Sequence, residues 1–215
     1  MHPNPIYRRD REDAATLRFV RERGFGTLSV SVEGRVLTAH APFVLDTDEK
    51  SLELHLMRSN PVVRALERTP DALLVASGPD AYVSPDWYEL DQNQVPTWNN
   101  VAAHLRGRAR LLPAGELRGV LDRLAEANEG RIAGKRPWTL DKSDAAYIER
   151  LMRSIVPVRM EVDHIDATWK LAQTKPAQVI RRAAQGVRAA GIGQDVAALG
   201  ALMETHAAEM ERGAA

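Results

Sequence analysis

The sequence contains no cysteine, which removes disulfides, thiolate nucleophiles, iron–sulfur clusters and cysteine-type zinc sites together. It has no excess of either charge, with 29 lysine and arginine residues against 29 aspartate and glutamate. Neutrality gives no support for a broad nucleic-acid footprint or for adsorption to an anionic membrane, and leaves a local basic patch open. No apolar run approaches the length of a bilayer span, and no basic-then-apolar leader opens the chain. The cytoplasm is therefore the expected compartment. Motifs of familiar chemistry are missing too: no G-x-G-x-x-G follows a strand, no H-E-x-x-H pairs histidines, and no serine carries a G-x-S-x-G elbow. A Rossmann reading, a zincin reading and a hydrolase reading all lose their footing.

What is present is organised around Ser51 to Leu66, SLELHLMRSNPVVRAL. Leu52, Leu54 and Leu56 alternate with Glu53, His55 and Met57, the two-residue period of a half-buried strand. Arg58, Ser59 and Asn60 then break the pattern, and Pro61 opens a short helical run to Arg68. Asn60 suits the N-cap and Pro61 the first helical position. Such a strand-turn-helix exposes amides that attract phosphate, with Arg58 and Ser59 to assist, or else it simply caps a packing helix.

Elsewhere, strands are expected over Phe25–Val32, Arg35–Asp46, Ala72–Ser77, Ala81–Tyr88, Thr97–Leu112 and Ile155–Ile165. Gly78-Pro79-Asp80 reads as an interruption between two of them. Helices are expected from an Asp10 cap to Arg23, over Pro113–Glu129, over Asp144–Arg153, and in an alanine-rich tail divided near Gly191–Gly193. Strands joined mostly by short turns, with helices at the beginning, middle and end, predict a mainly β fold with added helices, a small decorated barrel. His40 and His55 fall on consecutive strands and are expected either to face each other in a pocket or to be ordinary hydrogen-bonded strand histidines. The Arg106, Arg108, Arg110 stripe reads as a phosphate- or DNA-binding row, or as a solvated face paired with Glu161 and Asp163. Trp87, Tyr88 and Trp98 read as core or interface aromatics, or as a stacking platform.

Five phrases occur in order: LTAHAPFVL (37–45), HLMRSNP (55–61), GPDAYVSPDWYE (78–89), VPTWNNVAAHLRGRARLL (95–112) and WKLAQTK (169–175). Together they resemble the PaiB-like FMN-binding negative transcriptional regulators. The resemblance implies an FMN-binding split β-barrel, similar to pyridoxamine-phosphate-oxidase-like proteins, assembled as a homodimer with FMN at the subunit interface. It implies an FMN-binding domain over residues 1–175 and a helical tail over 176–215. Thr38, Ala39 and His40 would run along the flavin edge with His55 beside them, and Arg58, Ser59 and Asn60 would meet the phosphate. Trp98 matches a P-T-W-N phrase that reaches the ring system. Lys170 and Gln173 match the lysine and glutamine of a K-L-S-Q-N phrase, with Ala172 and Thr174 departing from its serine and asparagine. Two functions are expected from this: a regulator that binds DNA by family inference, although no helix-turn-helix is visible, or a small FMN-dependent oxidoreductase of flavin reductase or oxidase type. No acid, base or substrate clamp decides whether the chain is an enzyme, and no metal site is expected.

Overall fold

The computed structural model describes residues 2–10, 12–90 and 93–213. The strands are β1 (Arg8–Asp10), β2 (Phe25–Val32), β3 (Arg35–Leu45), β4 (Ser51–Met57), β5 (Asp71–Val83), β6 (Thr97–Leu111), β7 (Ile155–Lys170) and β8 (Gly193–Gln194). The helices are α1 (Ala14–Arg23), α2 (Pro61–Leu66), α3 (Leu117–Glu129), α4 (Ala145–Met152), α5 (Ala177–Ala190) and α6 (Val196–Gly213). None of the described helices is long and apolar enough to cross a membrane. The chain forms two compact units, a larger one of Leu17–Ala76 and His104–Ile165 and a smaller one of Met1–Thr16, Ser77–Ala103 and Asp166–Ala215.

In the larger unit the strand order is β7-β4-β3-β2-β5-β6, and β6 pairs again with β7. The sheet therefore closes into a ring. Period-two burial drives this: Leu52, Leu54 and Leu56 of β4 are inside, as are Leu28 and Val30 of β2 and Val158 and Met160 of β7. Leu112 N–H donates to the Pro157 carbonyl at 2.9 Å beside this β6–β7 seam, and on the other edge of β6 Ala109 N–H donates to the Pro70 carbonyl, just before β5, at 2.7 Å. Gly107 marks the closest approach, since a Cβ there would lie 1.8 Å from the Glu161 carbonyl oxygen. The ring is not a regular barrel. β2 and β3 pair along their whole common length, Phe25↔Pro42 to Val32↔Arg35, whereas β3 and β4 share only Phe43↔Leu54 to Leu45↔Leu52. The outer face at that short ladder is covered by α3, where Val44 packs on Leu112, Val120 and Leu124.

In the smaller unit α5 and α6 pack together, burying Val179, Ile180, Ala183 and Val187 of one helix and Leu199, Met203 and Ala207 of the other. Gly191, in the left-handed region at φ 64°, ends α5 and sends its N–H back to the Val187 carbonyl at 3.2 Å. Trp87 lies on Gly186 of α5, where a Cβ would come within 2.3 Å of the indole. Strand β1 pairs with the end of β7, Arg8↔Thr168 to Asp10↔Asp166, and β8 pairs with β5 at Asp80 and Ala81.

Several expectations need correction. Gly78-Pro79-Asp80 does not interrupt a strand, because β5 runs through it to Val83; proline loses one ladder donor but keeps an extended φ. Pro85–Tyr88 is a 3₁₀ turn capped by Ser84 rather than strand. Strand β7 continues to Lys170, five residues past the expected end. Helix α1 begins at Ala14, and Asp13 rather than Asp10 accepts its early Ala15 N–H at 3.2 Å.

Candidate functional site

The incomplete ladder between β3 and β4 positions the first candidates. Thr38, Ala39 and His40 pair with Ser29, Leu28 and Thr27 of β2, and their other edge has no strand ladder. Ala39 is buried, while Thr38 and His40 are exposed. The His40 Nδ1 lies 3.0 Å from the Thr27 hydroxyl, and the imidazole stacks on Phe25 with centroids 6.5 Å apart. His55 pairs instead with Pro157 of β7. The two histidines thus belong to different ladders and do not face each other as a cross-strand pair. His55 Nδ1 is buried and has no hydrogen-bond partner.

Burial lowers the pKa of His55 below the ordinary 6.5. An unfolded chain takes up this proton near pH 6.5 while the folded one resists it, so stability falls as pH drops below that point. His206 on α6 has its pKa lowered too, first by burial and then by Arg9, against the opposing pull of Glu209. We expect chemical denaturation midpoints to decline between about pH 6.5 and 5, with His55→Gln removing part of that slope and leaving the rest to His206.

The turn after β4 is tied down by its own residues. Arg58 N–H donates to the Ser154 carbonyl at 2.8 Å, its Nε to Arg153 O at 3.1 Å, and its Nη2 to Ile155 O at 3.2 Å. The Asn60 side chain accepts from Val62 N–H at 2.9 Å and the Asn60 carbonyl from Val63 N–H at 3.0 Å. Those amides of α2 are therefore engaged by the cap, and any anion-binding capacity of the turn rests on the exposed side chains of Arg58 and Ser59.

The remaining candidates belong to the smaller unit. Trp98 is 49% exposed on β6 and stands edge-on to Tyr82 at 6.4 Å, which is edge-on to Trp87 at the same separation. Lys170, at the end of β7, donates to the Thr97 hydroxyl and sits 6.0 Å from the Tyr7 ring centre. Burial lowers its pKa. Gln173 spends its amide on the local turn: Oε1 accepts from Leu171 N–H at 2.7 Å and Nε2 donates to the Trp169 carbonyl. That strap spans Ala172, whose φ of 70° is a conformation unfavourable to alanine. Lys175, passed over in the sequence, completes the group by donating to Gln94 and lying 4.9 Å from the Tyr88 ring. Its signal was the second lysine of WKLAQTK.

Three cavities of the larger unit lie elsewhere. One of about 330 Å³ is lined by Val44, Asp46, Glu53 and Arg123, and none of the ten candidates lines any of the three.

A family model described as "Putative FMN-binding domain" matches residues 1–164. The "Protease synthase and sporulation protein PAI 2" of Bacillus subtilis is 33% identical over 159 residues, covering 73% of this chain and 75% of that protein. "Uncharacterized protein AN0679" of Emericella nidulans is 24% identical over 194 residues, covering 72% and 77%. Among solved structures, an FAD and heme binding protein from Mycobacterium smegmatis superposes with a TM-score of 0.54 at 16% identity, covering 86% of this chain and 82% of that one. The flavocytochrome Anf3 from Azotobacter vinelandii gives 0.51 at 16% identity, covering 79% and 72%. At that level of identity the likeness is one of fold.

Proposed function

The chain belongs to the PaiB-like FMN-binding domain family, and from that premise we propose that it is an FMN-binding homodimer acting as a negative transcriptional regulator. The observation that carries the reading is the span of the family match. Residues 1–164 include Thr38, Ala39, His40, His55, Arg58, Ser59, Asn60 and Trp98, while Lys170 and Gln173 lie beyond it.

The side chains fit such a cofactor at each end. Two backbone carbonyls fix the Arg58 guanidinium by Nε and Nη2, leaving Nη1 and an exposed Ser59 hydroxyl for a phosphate. The unpartnered His55 Nδ1 is a polar atom in want of a ligand. Bound FMN supplies hydride or electron transfer; these residues hold and orient it. We expect Arg58→Ala to weaken FMN binding about tenfold or more, the scale of one hydrogen bond to a charged group, and to leave riboflavin binding unchanged in a fluorescence titration.

Two features support a dimer. The exposed Trp98 and His40 leave flat faces that suit a ring closed over by a second copy. Helix α4 buries none of its residues, leaving Tyr147 and Leu151 each 46% exposed. For DNA, the tail arginines are poor candidates, because Arg181, Arg182 and Arg188 meet Glu211, Glu89 and Glu204. The face proposed for DNA is the exposed row Arg106, Arg108 and Arg110, three cations in register along one side of β6. Residues 176–215 are an addition to an FMN-binding domain of 1–175.

A small oxidoreductase is the second reading, favoured by His55, whose buried and unpartnered Nδ1 is a polar group able to hydrogen-bond a flavin or substrate. Promoter DNA retarded in a salt-sensitive way, with bound FMN inert to nicotinamide nucleotides, decides for the regulator. Flavin reduction without DNA retardation decides for the enzyme.

A further inference from the structure

We propose that Lys170 and Lys175, together with Tyr7 and Tyr88, form a binding site for an oxyanion, a phosphate or carboxylate group.

The argument starts from what these two ammonium groups lack. Among the described residues, neither meets a carboxylate. Both are half-buried, and each is held by a neutral acceptor, Thr97 Oγ1 for Lys170 and Gln94 Oε1 for Lys175. Other partly buried cations of this unit are matched: Arg9 meets Asp13 at 3.2 Å, Arg182 meets Glu89 at 3.2 Å, and Arg188 meets Glu204 at 2.5 Å. Cations kept from water without a counter-ion are costly, and an arriving anion offsets that cost.

The cluster is also built rather than incidental. One turn carries both lysines, closed by Lys175 N–H on the Ala172 carbonyl at 2.9 Å and strapped by Gln173. The Lys170 ammonium lies 6.0 Å from the Tyr7 ring centre and that of Lys175 4.9 Å from the Tyr88 ring centre. The Tyr88 pKa is raised first by burial and then by the Tyr7 phenol. Aromatic faces hold the ammonium groups in place while leaving their remaining N–H donors for a ligand. Two half-buried ammonium groups on one turn, with no carboxylate beside them among the described residues, make an oxyanion receptor.

Nothing in this depends on flavin binding, so it is tested first with inorganic phosphate on the full-length chain. The thermal midpoint is expected to rise saturably with phosphate against chloride of matched ionic strength. Lys170→Met and Lys175→Met should each abolish the rise, Lys170→Arg should retain it, and Arg35→Met, at the exposed β2–β3 hairpin outside the cluster, should retain it as well. Circular dichroism confirms that each variant is folded. Comparing FMN with riboflavin then separates the two sources of the anion. If the lysine variants lose tenfold in FMN affinity and none for riboflavin, the oxyanion is the flavin's own phosphate. If flavin affinities stay level while the phosphate response is lost, it belongs to a separate acidic ligand. A phosphate response that is missing in the parent protein, or unchanged in both folded methionine variants, overturns the proposal.

Discussion

Gly107→Ala is expected to destabilise the protein by about 3 kcal/mol or more, at the upper end of what overpacking costs. The added Cβ would lie 1.8 Å from the Glu161 carbonyl oxygen, 2.9 Å from its carbon and 3.1 Å from the Asp163 nitrogen. All three atoms are backbone, so no side chain can rotate away. Relief requires β6 and β7 to part at the seam that closes the ring. The comparison is Gly115→Ala, where nothing lies within 4 Å of the new methyl and a change below about 0.5 kcal/mol is expected. Urea denaturation followed by circular dichroism checks both, and equal midpoints for the two variants would show that the seam tolerates a side chain.

Glu53→Gln is expected to cost about 2–3 kcal/mol, less than the full breaking of a buried ion pair. The Glu53 side chain is only 5% exposed, accepts from Arg159 Nη2 at 2.8 Å through Oε1, and meets Arg123 at 2.6 Å through Oε2. Arg123 is half exposed and regains water when released, so it contributes little. Arg159 is the costly partner, since its Nε is buried without a hydrogen bond and its charge would lose its counter-ion. The double variant Glu53→Leu with Arg159→Leu should recover most of the loss, because both charges leave the interior together. A double-mutant cycle in urea reads the coupling. Additive losses would mean that the pair is not coupled.

Much of this architecture is legible in the sequence, for a physical reason. Strands β2, β3 and β6 are half-buried, so Leu28 and Val30 write their burial as a two-residue period. Strand β4, expected half-buried, buries Ser51 to Leu54 on both faces because Glu53 is drawn in by its arginine partners, although Leu52, Leu54 and Leu56 still alternate in sequence. The cap at Asn60 and Pro61 is equally legible, because those residue types act on their own neighbours. Partnership across the chain is another matter. Nothing in residues 51–57 says that His55 pairs with Pro157 rather than His40, since alternation fixes a face and not a neighbour. The short strands β1 and β8 carry too few residues for any period to show. The site follows the same division. The phrase HLMRSNP marks a turn, but that Arg58 is tied to the carbonyls of Arg153 and Ile155, some 95 and 97 positions away, depends on the ring having closed. Lys175 was unremarkable as a residue type and became notable only when Tyr88 and Gln94 proved to be its neighbours.

The visible absorption spectrum of the purified chain after incubation with FMN and gel filtration tests the central claim most directly. The account predicts a flavin band that travels with the protein, is saturable, and weakens in Arg58→Ala. A colourless protein peak under the same conditions would contradict it.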